Sequence, residues 1–297
     1  MRRSRIRNAA GLGLAVMLLS AMTVACTPPP APVAVPWKFD TTSLRVNSSQ
    51  DEVRDPIFHA CISFSGCSDE PYVMNVNFTV QIGVPNSAST DVTGGHSCGH
   101  SPSVSAGQTI TDGGCWRGTK TFSVAPLTIT DLLTGNGHLT VFGSYNWIME
   151  EDTVGVGEAA SGTANILKDA LNQTLAVGSI PSDLSTLLSL ITSNLGSAFG
   201  ILAGNIPLFG LGDDVIGGAL HVGIGASGDL GTLLDGQIGA ASFPSIAIPI
   251  VELPPDINGG GFYTMSAAKA FNGEHFHGGC SLGTCGDYTI NFGSGPG

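Results

Sequence analysis

Hydrophobic and polar residues alternate through much of the chain between about residues 37 and 149. In the clearest run, 75–84, hydrophobic side chains occupy every second position: Val76, Phe78, Val80, Ile82 and Val84. Successive side chains of a β-strand point to opposite faces, so this period predicts strands with one buried and one solvent-exposed face. The runs 122–133 and 139–148 flank Gly135-Asn136-Gly137, which is typical of a tight turn, and they predict a β-hairpin.

From about residue 158 to 204 the hydrophobic period becomes helical. One apolar stripe consists of Ile166, Leu167, Ala170, Leu171 and Leu175, and a second consists of Leu184, Leu187, Leu188, Ile191 and Leu195. The face opposite the second stripe carries Ser185, Thr186, Ser189, Ser193 and Asn194. This pattern predicts two short helices that pack their apolar faces on a sheet and turn a neutral polar face to water.

The expected fold is therefore an α+β, antiparallel β-rich, sandwich-like domain with a short helical insertion at about 160–200. The segments 262–271 and 288–292 predict closing strands on either side of a loop, 272–286, that is rich in Gly, His and Cys. A change of composition near residue 150 leaves a two-domain division open. No charged residue occurs from 184 to 212, which leaves a membrane-inserting protein as a further interpretation.

The N-terminal segment predicts export. Four arginines within the first seven residues precede an apolar stretch of 14 residues, 11–24, which is too short for a comfortable membrane span. Residues 1–25 are therefore expected to be a signal peptide. The segment Thr23-Val24-Ala25-Cys26 resembles the lipobox of bacterial lipoproteins. The resemblance implies that Cys26 carries a diacyl anchor, with palmitate-type chains, and becomes the mature N-terminus.

Residues 26–36 contain five prolines and predict an extended tether of roughly 30 Å at about 3.1 Å per residue. Residues 37–297 are then expected to form a single β-rich extracytoplasmic domain with its helical segment at 158–204. The expected location is the outer face of the cell membrane. A soluble secreted protein is the alternative if the signal is cut without lipidation.

The charge balance excludes one class of partner. Charged residues make up only 11% of the chain, and Asp and Glu outnumber Lys and Arg by 23 to 11. Removal of residues 1–25 takes away four arginines and leaves 7 basic against 23 acidic residues, or −16. Nucleic-acid binding depends on neutralising phosphates with Lys and Arg, so we expect no nucleic-acid partner.

The chain has seven cysteines, and lipidation of Cys26 would leave an even number in an oxidising compartment. Six cysteines allow 15 pairings, and their spacing favours neighbours. The expected disulfides join Cys61 to Cys67, Cys98 to Cys115, and Cys280 to Cys285.

Four of the seven histidines lie close to cysteines: His96, His100, His275 and His277. Imidazole and thiolate are natural ligands of Zn or Cu, and the spacing His275-x-His277 would put both rings on one side of an extended chain. If the two segments meet, these residues could form a metal site. The interpretation that the sequence favours is that these histidines are solvated residues of Gly-rich loops and that the protein has no cofactor.

The segment Gly223-Ile224-Gly225-Ala226-Ser227-Gly228 matches the dinucleotide-binding fingerprint. Such a fingerprint needs a strand before it and a helix and parallel strand after it, and no such β-α-β unit is predicted here. We therefore do not expect a nucleotide site.

These observations favour a lipid-anchored, disulfide-containing binding or structural module of the cell envelope that works without catalysis. The alternative is an exported metal-dependent enzyme that uses the histidines of 96–100 and 275–277. Neither interpretation identifies a ligand or a protein partner.

Overall fold

Two five-stranded β-sheets form the centre of the protein. The computed structural model describes residues 30–49, 68–95, 102–111, 113–114, 116–150, 157–181, 183–205, 214–238, 257–281 and 284–297. The strands are β1 (Val35–Ser48), β2 (Ser68–Asp69), β3 (Pro71–Gln81), β4 (Ser89–Gly94), β5 (Val104–Ser105), β6 (Thr109–Ile110), β7 (Thr119–Val124), β8 (Thr140–Glu150), β9 (Asp214–Ile224), β10 (Ile257–Thr264), β11 (Lys269–Ser281) and β12 (Thr284–Pro296). The helices are α1 (Ile129–Thr134), α2 (Gly157–Thr174), α3 (Leu184–Asn205) and α4 (Gly228–Ile238).

The first sheet has the strand order β11-β12-β1-β6, and β7 also pairs with β1. The second sheet has the order β10-β9-β8-β3-β4, and the short strands β2 and β5 pair with each other. Among the strands that the structure describes, pairing is antiparallel except between β9 and β10. The β-rich, mostly antiparallel character predicted from the sequence is thus confirmed, and residues Pro32–Gly297 form one compact unit.

The alternating residues of β3 are buried on both faces of the second sheet. Val76, Phe78 and Val80 face the helices, and the ring of Phe78 lies 6.3 Å from that of Phe199 in α3. Asn75 and Asn77 are also fully buried, although the sequence pattern predicts that they meet water. The first sheet covers this polar face, and a single strand carries no information about a second sheet.

The two predicted helices are confirmed as α2 and α3. The buried residues of α3 include Leu187, Ile191 and Leu195, and its exposed face carries the predicted hydroxyl residues. Among the described residues, α3 is also long and apolar enough to span a membrane, since its segment Leu184–Leu202 has a mean hydropathy of 1.3. In this fold most of its apolar stripe is buried, and Phe199 of the same helix lies against Phe78 and Tyr145 of the second sheet.

The predicted hairpin between 122–133 and 139–148 is wrong. Strand β7 belongs to the first sheet, β8 belongs to the second, and α1 lies between them. The side-chain oxygen of Thr128 accepts a hydrogen bond from the backbone N–H of Asp131, and the carboxylate of Asp131 accepts one from the backbone N–H of Thr128, so the two form a capping box. Gly135 ends α1 at a φ of 64°, in the left-handed region. The turn-like Gly-Asn-Gly sequence therefore terminates a helix rather than joining two paired strands.

A β-α-β unit follows the Gly-rich fingerprint, contrary to the sequence prediction. Strand β9 leads through residues 225–227 into α4, and β10 then pairs with β9 in parallel. The apolar and glycine-rich sequences of β9 and β10 do not alternate between hydrophobic and polar residues. Both strands are covered on both faces, so neither face needs polar side chains.

Residues 272–281 lie in β11 and not in the predicted loop. Strands β11 and β12 form an antiparallel hairpin in which the backbone of Cys280 is paired with that of Cys285. The glycines of this segment are accommodated by irregular pairing between Phe271 and Glu274 and between His277 and Cys280. The histidines of this segment are therefore held by strand pairing.

Candidate functional site

Two groups of histidine and acidic side chains lie on opposite faces of β11. Glu274 and Phe276 point into the protein, whereas His275 and His277 point outward, because side chains alternate along a strand. We call His275, His277 and Asp287 the surface cluster. We call His221, Glu274, Asn146 and Asn75 the core cluster.

The surface cluster brings two imidazoles and one carboxylate together. The Nε2 atom of His275 lies 2.6 Å from Oδ1 of Asp287, and Nδ1 of His277 lies 3.7 Å from Oδ2. The two imidazole rings meet edge to face, with their centroids 4.3 Å apart. One nitrogen or oxygen atom from each residue lies within 4.8 Å of the others. The side chains are 46% exposed for His275, 63% for His277 and 23% for Asp287, so solvent ions can reach them.

Neighbouring residues fix the positions of this cluster. Asp287 is the backbone partner of His277 across the hairpin. Phe276, between the two histidines, is fully buried, and the glycine at 217 leaves room for its ring, since a Cβ there would lie 2.7 Å from it. The amide of Asn47 donates a hydrogen bond of 2.9 Å to Oδ1 of Asp287. The carboxylate is thus oriented by a residue of β1 as well as by His275.

The surface cluster has the ligand types of a transition-metal site. Imidazole nitrogen and carboxylate oxygen both bind Zn²⁺, and imidazole also suits Cu²⁺. Three protein ligands would leave coordination positions open to water or to a bound molecule.

The core cluster lies between the two sheets. The ring of His221 is fully buried and is packed by Phe39, Phe271 and Phe292, whose centroids lie 4.9, 4.6 and 4.5 Å away. Its Nδ1 lies 2.6 Å from Oδ1 of Asn146, and its Nε2 lies 3.2 Å from Oε1 of Glu274.

Further hydrogen bonds connect the core cluster to the sheet. Asn146 donates to Asn75 at 2.6 Å, and the backbone N–H of Gly260 donates to Glu274 at 2.9 Å. Both ring nitrogens of His221 therefore have partners. A general base needs a free nitrogen beside a reactive group, and His221 would have to break one of these bonds to provide it. This arrangement is that of a structural polar network.

The structure unites only part of the predicted metal site. His275 and His277 lie together on one side of an extended strand, as their spacing predicts. Asp287 was not among the predicted ligands, although its position one strand away from His277 is consistent with a short hairpin. His96 and His100 lie outside the described residues. Lipidation at Cys26 and the cysteines 61, 67, 98 and 115 also lie outside them, and for Cys280 and Cys285 only the backbone is described.

The backbone donors of the Gly-rich turn after β9 are used within the protein. The N–H groups of Gly225 and Ser227 donate to the carbonyls of Thr140 and Leu127, at 2.8 and 3.0 Å. A dinucleotide site needs such backbone donors to be free for phosphate oxygens. The turn therefore serves the packing of Leu127, in spite of its matching sequence.

The chain contains a hydrolase-like motif that the sequence reasoning missed. Gly95-His96-Ser97-Cys98-Gly99 has the Gly-x-Ser-x-Gly pattern in which a nucleophilic serine follows a strand and precedes a helix. Residues 96–100 lie outside the described residues. The strand before the motif is β4, which ends the second sheet and pairs antiparallel with β3. This position differs from the central strand that such a nucleophile normally follows.

A surface cavity of about 310 Å³ lies between β3, β4 and β7. Its lining includes one carboxylate, Asp91, which forms an ion pair of 2.8 Å with Lys120. The cavity is thus a shallow neutral groove without a second acid or a histidine among its lining residues.

Comparison with known proteins gives no information on function, so function must be argued from the residues of this chain. No family model, no curated protein and no solved structure matches this chain.

Proposed function

We propose that this protein is an extracytoplasmic binding module, attached to the outer face of the cell membrane through lipidated Cys26, and that it works without catalysis. The observation that carries the binding role is the contrast between the two clusters. The solvent-accessible histidines lie on a hairpin surface, and the buried histidine has both ring nitrogens occupied. Such a molecule offers ligands to its surroundings rather than an acid–base group to an enclosed substrate.

The way the fold begins supports a tether at its N-terminus. Residues 35–40 of β1 pair with β7 on one side, and residues 37–40 pair with β12 on the other. The tether continues directly into β1, which is hydrogen-bonded to a neighbouring strand on each side. Force on the tether is therefore carried by two strand pairings, and β1 is not easily detached from the sheet.

Local disulfides are part of the proposal. The backbone pairing of Cys280 with Cys285 across the β11–β12 hairpin supports a bridge between them, because directly opposed residues of antiparallel strands have Cα atoms about 4.5–5.5 Å apart. This bridge would close the hairpin beyond His277. Mass spectrometry of unreduced peptides is expected to find the two residues joined.

The anchor is tested by replacing Cys26 with Ser and measuring how the protein partitions between membrane and medium. We expect wild-type protein in the membrane fraction and the variant in the soluble fraction, because two acyl chains give stable attachment at about 0.8 kcal/mol per buried CH₂. The matched control is Thr27→Ala, which keeps the cysteine and should stay membrane-bound. Equal partitioning of wild type and Cys26→Ser, with both proteins folded, would overturn the anchor.

The ligand set of the surface cluster also favours a second candidate, a metal-dependent enzyme. Hydrolysis of a chromogenic ester in the presence of Zn²⁺, lost in His275→Ala, would support that candidate. Loss of hydrolysis in Ser97→Ala alone would instead indicate a serine hydrolase. We expect neither activity above the buffer rate, since the proposed module has no catalytic role.

The remaining alternative is membrane insertion through α3. Burial of Leu187, Ile191 and Leu195 supports a domain that does not insert, because insertion would have to remove this stripe from the core. We therefore expect the Cys26→Ser variant to be soluble without lipid.

A further inference from the structure

We propose that His275, His277 and Asp287 form a binding site for a divalent transition-metal ion, Cu²⁺ or Zn²⁺. This inference deepens the binding function proposed above and rests on it for the biological role of the ion. The site itself is argued from the geometry of the hairpin.

The distances suit a single ion after small side-chain movements. Ligand atoms about 2.0–2.2 Å from a tetrahedral zinc are separated from one another by roughly 3.3 Å. In the protein, the carboxylate oxygens lie 2.6 and 3.7 Å from the two imidazole nitrogens. The widest separation within the set is at most 4.8 Å, so it must shorten by no more than roughly 1.5 Å to reach that spacing. Rotation of the two exposed imidazoles can supply this change without a shift of the backbone.

The β11–β12 hairpin restricts the positions that the side chains of His275, His277 and Asp287 can adopt. Both strands are paired at this point, because β12 lies between β11 and β1 in the first sheet and is hydrogen-bonded to both. Burial of Phe276 keeps the two flanking histidines on the outward face. A site assembled before the ion arrives loses less conformational entropy on binding.

Asn47 acts as a positioning residue. Its amide donates to Oδ1 of Asp287 at 2.9 Å and to the hydroxyl of Thr289 at 2.8 Å. Hydrogen bonds of this kind orient a ligating carboxylate, and their removal typically weakens metal binding 10–100-fold. Asn47 should therefore affect affinity without touching the ion.

The ligand types also set the selectivity. Nitrogen-rich sites follow the order Cu²⁺ above Zn²⁺, whereas Ca²⁺ and Mg²⁺ prefer sets made of oxygen. The protein's strongly negative charge attracts every cation. A preference for Cu²⁺ and Zn²⁺ over Ca²⁺ therefore distinguishes binding at this site from attraction by the net charge.

The test is calorimetric titration of the purified full-length protein in detergent with CuCl₂, ZnCl₂ and CaCl₂ at neutral pH. We expect one saturable equivalent of Cu²⁺ and a weaker equivalent of Zn²⁺, with no saturable Ca²⁺ binding. Saturating Zn²⁺ should raise the Tm by a few degrees, on the order of 5 °C, by mass action.

Variants assign the ion to the cluster. His275→Ala with His277→Ala should remove saturable binding, and Asn47→Ala should weaken it by about 10-fold. The control is His138→Ala, an exposed histidine outside the cluster, which should bind as the wild type does. Alkylation of free thiols should leave binding unchanged.

Three results would overturn the site: no saturable Cu²⁺ or Zn²⁺ binding, equal binding by the double histidine variant, or binding that requires free thiols. None of them bears on the membrane anchor, which the partitioning of Cys26→Ser decides separately. A failure of the metal site can thus be told apart from a failure of the proposed attachment.

Discussion

The two histidine–carboxylate groups of this protein share strand β11 and lie on opposite faces of it. In the core cluster, aromatic rings surround His221, and Glu274 also accepts a backbone hydrogen bond from Gly260. In the surface cluster, His275 and His277 are about half exposed or more and share one carboxylate. Similar chemical groups therefore have different surroundings: the buried pair connects the two sheets, and the exposed group is the one that we propose to bind a metal ion.

We infer from this comparison that access to solvent, more than residue type, separates the two clusters. A buried polar group that loses its partner is left without water, whereas an exposed one exchanges its partner for water at little loss. The predictions below follow from this asymmetry.

The largest effect is expected for Glu274→Ala. The substitution removes the carboxylate oxygen that contacts Nε2 of His221 and that accepts from the N–H of Gly260, which should lower the free energy of unfolding by about 3 kcal/mol. Urea denaturation measures this change. Glu274→Gln keeps the shape and an acceptor oxygen and should lose much less. Equal stability of the alanine variant and the wild type would mean that the core cluster is not a structural network.

A smaller loss of stability is expected for Gly217→Ala. This substitution lies in the core and should also affect the surface cluster. A Cβ at this position would lie 2.7 Å from the ring of Phe276, and overpacking of this kind typically lowers stability by about 1–3 kcal/mol. Displacement of Phe276 should also weaken metal binding at the neighbouring histidines.

The matched control for this variant is Gly236→Ala, where a Cβ meets no atom within 4 Å in helix α4. It should raise stability by about 0.5–1 kcal/mol, because alanine favours the helix. Thermal unfolding and metal titration of both variants check the pair. An unchanged metal affinity in Gly217→Ala would show that the surface cluster is independent of the core beneath it.

In the absence of metal, His275→Ala combined with His277→Ala should change the free energy of unfolding by no more than about 0.5 kcal/mol. The imidazoles are solvent-exposed, and exposed ion pairs contribute little. Denaturation in the presence of a chelator measures this. A loss above about 2 kcal/mol would assign the surface cluster to structure, like the core cluster, and the contrast between them would fail.

The smallest effect is expected at Asp183, an exposed carboxylate that precedes helix α3. Hydrogen bonds from Thr186 and Ser185 lower the pKa of Asp183 to about 2. Because this folded-state pKa lies below the ordinary value of about 3.8, its contribution is present above pH 4 and is lost as the pH falls towards 2.

Asp183→Asn keeps a capping oxygen and removes the titration. The Tm difference between wild type and this variant should therefore be larger at pH 5 than at pH 2.5. A difference that does not depend on pH would contradict the role of the charge. Asp183 in the wild type thus serves as a reference for Asp287, as an exposed carboxylate whose effect is local.

Local sequence determined the elements whose signals lie within one element. The stripes at 166–175 and 184–195 predicted α2 and α3, because a helix displays its period without help from other segments. For the same reason His275 and His277 could be placed on one side of an extended chain. The capping box and Gly135 also stand in the sequence, so α1 was predictable from Thr128 and Asp131, although the Gly-Asn-Gly segment favoured a hairpin.

Tertiary structure alone decided which residues meet. Burial of Asn75 and Asn77 requires the first sheet, the partnership of His221 with Glu274 joins residues 53 positions apart, and Asp287 reaches the histidines only through the register of β11 with β12. A one-residue shift in register would send Asp287 to the opposite face. Hydrophobic periodicity states which side of an element is apolar, but the partner across that side is chosen by the packing of the whole chain.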